Sequence, residues 1–540
     1  MFPLRPRVAL PVSLIALLLL SVPQVTLAGP GRTLAVSGFD SAAIRLSLDQ
    51  AAPGDTIGLA AGTYTITEAI PLKSGIRLLG AGQEKTIIRF GGDKPDVLLR
   101  VAGCEDVEVA HLTLDGGDNP LVGQGILATS SRRVKIHHVT VRNLVKSKTW
   151  GPHGVLFNGH NPTRENGVND SEITDCLVEN IAPDARFGGG IRIAWGSSRN
   201  RILRNVIRNT GRGGIFANDG SHDLVIRENT VTGSGGEGLG IEVWGHSDRA
   251  VIEDNRIDHW LSVGGCDFCA ARRNVVADQG GPTKPYGLEI IGSYQVVTDN
   301  VVGEVQGIGV SVSDKMPKNY HFYARNTIRS CYHWGAQLQG ETGGIAYHYF
   351  YRCKFLGTLV GHPSVRYQGD EGNGFRTNGN VKHLVFEECA FSDNGKLGLQ
   401  LGGPDVDSLC FLRCEIKNNK RGAVSGPRDY SRLEWVDCSV QGNGSDTLPP
   451  AKPFPAPPPT ASFEVAAQAR VGEPVAFAGT SKAARGKIAA VMWDFGDGVP
   501  AVEPRATHTY REPGDYRATL LVWDDEGRGA RAEKLVRVAP

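Results

Sequence analysis

One short phrase returns along most of this chain and leaves few folds open to it. It reads Asn, a variable residue, then an apolar one: Asn205-Val-Ile-Arg-Asn, Asn229-Thr-Val-Thr-Gly, Asn255-Arg-Ile-Asp-His, Asn274-Val-Val-Ala-Asp, Asn300-Val-Val-Gly-Glu and Asn326-Thr-Ile-Arg-Ser. Cys176-Leu-Val-Glu-Asn precedes the series. Cys353-Lys-Phe, Cys389-Ala-Phe, Cys414-Glu-Ile and Cys438-Ser-Val continue it, with the apolar residue always two places on. A repeat of about 25 residues signals a solenoid in which each turn of chain stacks on the last.

A second phrase recurs inside each period, Gly followed by alternating apolar and variable residues: Gly190-Ile-Arg-Ile, Gly214-Ile-Phe-Ala, Gly240-Ile-Glu-Val, Gly287-Leu-Glu-Ile, Gly309-Val-Ser-Val, Gly335-Ala-Gln-Leu and Gly398-Leu-Gln-Leu. Alternation at period two predicts short strands with one face buried. Such strands bury their apolar faces only if coils pile up at about 4.8 Å per rung. The expected fold is all-β, a right-handed parallel β-helix. The Asn are expected to form a column, each amide bonding the same residue one rung away. The Cys that replace them are read as a file of small buried side chains. Cys266 and Cys269 are close enough for a local disulfide or for two free thiols.

The ends of the chain differ from its middle. Arg5 and Arg7, the apolar stretch Val8 to Leu20 and the small residues up to Ala28 read as a secretory signal over residues 1–28. No membrane span is expected after its cleavage. Ser41 to Ala52 has the pattern of an amphipathic helix that caps the open end of the stack, and Gly38 to Phe90 resembles the N-terminal part of many β-helix carbohydrate enzymes. The resemblance to the pectate-lyase-like superfamily spans Gly38 to Asn443, within a β-helix domain over residues 29–447. A Pro-rich stretch at residues 448–460 predicts a stiff spacer. In the final segment, residues 461–540, Trp493-Asp-Phe-Gly-Asp-Gly498, His508-Thr-Tyr510 and Pro513-Gly-Asp-Tyr516 resemble a PKD domain. That resemblance implies a seven-stranded Ig-like β-sandwich, with Trp493 and Tyr510 in its core.

Charge narrows the partners. The 58 Lys and Arg nearly cancel the 57 Asp and Glu, which removes the basic footprint that nucleic acid requires. A secreted or cell-envelope monomer acting on an extracellular polysaccharide is expected, by analogy with the enzymes of this architecture.

Chemistry must then lie on the outer face of the Gly-led strands. Alternation places Leu156, Arg192, Phe216, Glu242, Glu289, Ser311, Gln337, Arg376 and Gln400 in one exposed file, with Ser262 of a short coil between the two Glu. Glu242, Asp219 and Glu289 are the catalytic candidates, because a glycosidase needs one protonated and one ionised carboxyl group across the scissile bond. Arg192, Trp195, Trp244, His222, His246, Tyr286 and Arg376 are the substrate-binding candidates. Hydrolysis is preferred to β-elimination because the carboxylates cluster. A lyase acting on uronic-acid polymers would draw its base and its carboxylate-neutralising group from Arg192, Arg376, Lys315, His153 and His160. A non-catalytic glycan-binding or adhesion protein is the other alternative. No metal is expected as a requirement; Ca²⁺ enters only at Asp115-Gly-Gly-Asp118-Asn119, which also reads as a plain turn. Gly151-Pro152-His153 resembles the Asp-Pro-His core of alginate epimerases, with Gly151 where that family has its Asp.

Overall fold

The computed structural model describes residues 31–540, apart from 146–150, 162, 184–187, 235–238, 278–285, 306–307, 314–317, 361–370, 404 and 428–429. The expected signal segment up to Ala28 and the lyase candidate Lys315 therefore lie outside the described residues.

From Thr33 to Gln441 the strands form three parallel sheets wound as one β-helix. In a typical coil, Arg201–Leu203 belongs to sheet I, Val206–Thr210 to sheet II and Gly213–Asn218 to sheet III. Each pairs in parallel register with its counterpart in the next coil: Ile202 with Ile226, Ile207 with Val231, Ile215 with Ile241. Inward Ile and Val from all three sheets make one continuous core. Toward the C-terminal end aromatic rings take over that role, Tyr323, Phe350, Phe386, Phe411 and Trp435 stacking with centroids 4.2 to 4.8 Å apart.

The Asn column forms as expected. Asn229 N–H and its Nδ2 both donate to Asn255 Oδ1, at 2.9 and 3.0 Å, and Asn255 donates in the same way to Asn274. Each amide also donates to a carbonyl on the preceding coil, Asn255 Nδ2 to Ile226 O at 2.9 Å. Backbone donors at a buried corner are thereby satisfied where the chain leaves one sheet for the next. Cys353, Cys389, Cys414 and Cys438 extend this column, and the last three keep the bond to the preceding coil, Cys414 Sγ donating to Phe386 O at 3.3 Å. Cys266 and Cys269 are buried free thiols, as are the other Cys apart from the half-buried Cys438.

The leading Gly of the sheet III strands has a steric cause. A Cβ on Gly214 would stand 2.1 Å from Val231 Cγ1 and 2.7 Å from Gly240 O on the following coil. No side chain fits there.

Two of the outer corners carry columns of positive-φ residues whose side chains pair or stack from coil to coil. Between sheets I and II, Asp175, Arg204, Asp254, Arg273, Asp299 and Arg325 stand in one column with φ of 51 to 59°. They pair as acid with arginine, Arg204 with Asp175 at 2.8 Å and Arg325 with Asp299 at 2.7 Å. The other column starts in the same way and then turns aromatic: Phe268, Tyr294, Tyr320, Tyr347 and His383 stack with centroids 4.7 to 5.4 Å apart.

At the N-terminal end the helix Ser41–Gln50 caps the stack, its Ile44 and Leu48 buried and Asp40 accepting from Ala43 N–H at 2.8 Å. This satisfies a free donor of the first turn. Among the described residues no helix is long and apolar enough to cross a membrane.

The C-terminal sandwich has a three-stranded sheet packed on a five-stranded one. That makes eight strands where seven were expected, the short Pro500–Ala501 being the addition. Trp493 and Tyr510 are fully buried in its core. The Pro-rich stretch does not act as a spacer. Lys452 pairs with Leu433 of the last coil, Trp435 Nε1 donates to Pro449 O at 3.2 Å, and Phe454 is buried. A strand edge that would otherwise be open is thereby covered. The sandwich then docks on the side of the β-helix: Trp523 meets Tyr320 and Tyr347 edge-on, and Arg528 pairs with Glu434 at 3.0 Å.

Replacing Asn255 by Ala leaves the buried Asn229 N–H without its acceptor, which is expected to cost about 1–3 kcal/mol. Removing the exposed ion pair of Arg208 with Glu179 by Arg208→Ala is expected to cost under about 1 kcal/mol. Urea denaturation of the two variants measures the difference, and equal losses would contradict the role given to the amide column.

Candidate functional site

Outward positions of sheet III follow the expected file. Register places Leu156, Arg192, Phe216, Glu242, Ser262, Glu289, Ser311, Gln337, Arg376 and Gln400 opposite one another in order. Glu242 and Glu289 are thus two rungs apart with Ser262 between. The file is not exposed, however. Arg192 is 5% and Glu242 7% accessible, because side chains from adjoining turns and neighbouring coils lean over this face.

The cleft that remains holds about 540 Å³ and is lined by Asn158, Arg192, Trp195, Arg212, Phe216, Asn218, Asp219, Glu242 and Trp244. Its floor is the guanidinium of Arg192, which lies 5.2 Å from the Phe216 ring centre and donates to Asn218 Oδ1 at 3.2 Å. Asp219 sits at the strand end with φ of 58°, its carboxylate 4.0 Å from Arg192 Nη2 and its side chain 38% exposed. Trp195 and Trp244, at 40% and 37%, are the large apolar surfaces a ligand would meet. Exposed indole faces in a polar cleft suit stacking against sugar rings.

Glu242 faces this cleft from beneath Arg212, whose Nη2 donates to Oε1 at 3.2 Å. Burial pushes its carboxyl above the ordinary range, and Glu289 adds to the rise. Arg212 and Arg192 oppose it without cancelling it. Burial also brings Arg192 down to about 10 against the pull of Asp219. The cleft therefore holds one carboxyl group biased toward its protonated form and a second that is open to solvent beside a cation. A carboxyl group whose charged form is disfavoured by burial is suited to act as a general acid.

Other candidates are not brought together. Glu289 belongs to the neighbouring group, accepting from Ser262 Oγ at 2.7 Å and Trp260 Nε1 at 3.3 Å, with Tyr286 against Trp260. Arg376 lies five rungs from Glu242, about 24 Å at about 4.8 Å per rung, and stacks on Trp334 at 4.5 Å. His222 accepts from Asp248 N–H at 3.2 Å in the turn between sheets III and I, and His246 is exposed nearby; neither lines the cleft. His160 is exposed as well. His153 is fully buried near Phe216, and burial drives its imidazole down to about 3, which keeps it neutral. Asp115 is no calcium ligand: Arg89 at 3.0 Å and Arg142 at 3.1 Å take its carboxylate, and Gly117 N–H and Asn143 Nδ2 donate to it.

Arg212, Asn218 and Asn158 are cleft residues that the sequence pattern did not single out. Asn218 and Asn158 occupy the last position of their strands, opposite Trp244 and Ala194, and continued alternation would have found them. Arg212 stands in a turn with no period.

Residues 99–257 match the family described as right handed beta helix region, and residues 456–539 match the PKD domain. Mannuronan C5-epimerase AlgE2 of Azotobacter vinelandii is 28% identical over 243 residues, 41% of this chain and 22% of that protein. A microbial collagenase of Vibrio alginolyticus is 37% identical over 82 residues, 15% of this chain and 10% of that protein. The chain thus spans less than a quarter of the length of these relatives. The A-module of Azotobacter vinelandii mannuronan C-5 epimerase AlgE6 superposes with a TM-score of 0.45 at 15% identity, over 72% of this chain and 95% of that one. Strand register shows a parallel β-helix followed by a β-sandwich, and the family models of a right-handed β-helix region and of a PKD domain match within those two parts of the chain.

Proposed function

We propose that the cleft around Glu242 binds an acidic extracellular polysaccharide and cleaves it by hydrolysis. The observation that carries this reading is the pairing of a buried Glu242, whose carboxyl burial shifts upward, with the more exposed Asp219 between two tryptophans. In this scheme the Glu242 carboxyl protonates the glycosidic oxygen as the bond to the anomeric carbon breaks. The Asp219 carboxylate acts on the opposite side of the ring, on water or on the anomeric carbon itself. Arg192 and Arg212 favour an anionic sugar, since planar guanidinium groups match a carboxylate in two-point contact. Placement outside the cytoplasm accords with the secretory signal expected over residues 1–28 and with a PKD module.

A second reading is favoured by those same two arginines and by the relatives that act on mannuronan. Here a uronate carboxylate is neutralised and the neighbouring carbon loses its proton, which leads to elimination or epimerisation. His153 is buried outside the lining of the cleft and Gly151 has no carboxylate, so the base would have to be Glu242 or Asp219.

With mannuronan and polygalacturonate as test polymers, Glu242→Gln is expected to lower kcat by about 10²–10⁴-fold with the fold intact. Product mass separates the readings: a gain of water marks hydrolysis, an unsaturated uronate marks elimination, and an unchanged mass with inverted C5 marks epimerisation. No turnover by the native chain on acidic or neutral glycans would support a binding protein instead.

The pH profile gives an independent check. Hydrolysis needs Glu242 protonated, so the rate falls as pH rises through its folded pKa. Arg212 holds that pKa down; Arg212→Gln is therefore expected to move the alkaline limb of kcat to higher pH. A shift to lower pH, or none, would contradict the acid role of Glu242.

A further inference from the structure

The charged column between sheets I and II begins differently from the way it continues. Further along, most rungs set an arginine against a carboxylate, as Arg204 against Asp175, Arg273 against Asp254 and Arg325 against Asp299. In the coils 105–115 and 132–144 the same positions hold His111 and His138, at φ of 57 and 52°. His137, one residue before the corner, turns toward them. The rings sit with centroids 5.0 to 5.5 Å apart, and one nitrogen from each lies within 4.8 Å of the others. Three imidazoles thus share a place where most rungs of the column pair an arginine with a carboxylate.

Their geometry is that of ligands around a small ion. His137 Nδ1 and His138 Nδ1 are 3.1 Å apart. Two nitrogens at about 2.0–2.1 Å from a tetrahedral zinc ion stand roughly 3.3 Å from each other. The other nitrogen of His137 is already committed: its Nε2 donates to Glu108 Oε1 at 3.2 Å, and Arg77 holds the second oxygen of Glu108 at 2.9 Å. A carboxylate behind an imidazole fixes the tautomer, leaves the Nδ1 lone pair outward, and raises its basicity toward a metal.

We propose that His111, His137 and His138 form a binding site for a divalent transition-metal ion of the Zn²⁺ class, clamping the two coils 105–115 and 132–144 at the corner opposite the sheet III cleft. Imidazole donors select Zn²⁺, Ni²⁺ or Cu²⁺ over Mg²⁺ or Ca²⁺. His111 and His138 are exposed, so a fourth position is open to water. This inference is independent of the reaction proposed for the cleft.

The test is calorimetric titration of ZnCl₂ into the tag-free, chelator-treated full chain. One ion per chain is expected, and the affinity should fall at least tenfold in both His138→Asn and His111→Asn. Asn accepts the left-handed corner, and circular dichroism checks that each variant is folded. His160→Ala, an exposed imidazole outside the cluster, is expected to bind as the native chain does. A second readout is the thermal midpoint, which Zn²⁺ should raise in the native chain and not in His138→Asn. No binding to the native chain, equal binding by both Asn variants, or an equal loss in His160→Ala would overturn the proposal.

Discussion

Buried amides stacked from coil to coil set the register on which the rest of this molecule depends. Asn205, Asn229, Asn255, Asn274 and Asn300 each tie the next coil by a side-chain bond and a backbone bond to one oxygen of the following Asn, the last of them Asn326. A slip of one residue would strand the whole column in an apolar interior, where an unmade hydrogen bond costs far more than a made one contributes. Apolar faces drive the coils together without direction. The amides decide which residue meets which.

Other columns inherit that register and use it for different ends. At the two outer corners, charge alternation and aromatic stacking both require partners one rung apart, and the second becomes the surface on which Trp523 of the PKD domain rests. On sheet III the same stacking brings Arg192, Phe216 and Glu242 from three coils into one cleft wall. Burial there gives the site its electrical character, since a carboxyl group and a guanidinium that would be ordinary in water are both displaced toward their neutral forms. The upward shift of the Glu242 carboxyl is a consequence of its burial by stacking and by the aromatic walls, which the turn that carries Arg212 opposes.

Much of this was legible because the repeat is short and the side-chain period is two. The Asn and Gly phrases yield the coil length, the inward columns and the outward file, including the short coil that puts Ser262 between the two Glu. Legibility ended where period ended. Arg212 sits in a turn of its own kind, so neither its presence nor the burial of Glu242 beneath it follows from alternation. Arg376 shares a column with Glu242 but not a cleft, since membership in a file says nothing of distance along it. The Pro-rich stretch has the composition of a spacer, and only the open edge of the last coil and the aromatic corner explain why it lies down instead. His111 and His138 stand 27 positions apart in a region without the Asn phrase, and their meeting emerges only from the register of the first coils.

Everything rests on which residues face each other across successive coils, and cross-linking reads that directly. Arg208 and Thr232 are exposed partners on adjacent rungs of sheet II. Cysteines at both positions, with Cα atoms about 4.8 Å apart, are within disulfide reach, whereas Arg208 and Thr230 are offset by two residues and stand beyond about 7 Å. Under mild oxidation the account predicts an intrachain disulfide in Arg208→Cys/Thr232→Cys and little in Arg208→Cys/Thr230→Cys. Cross-linking of the offset pair in preference to the aligned one would contradict it.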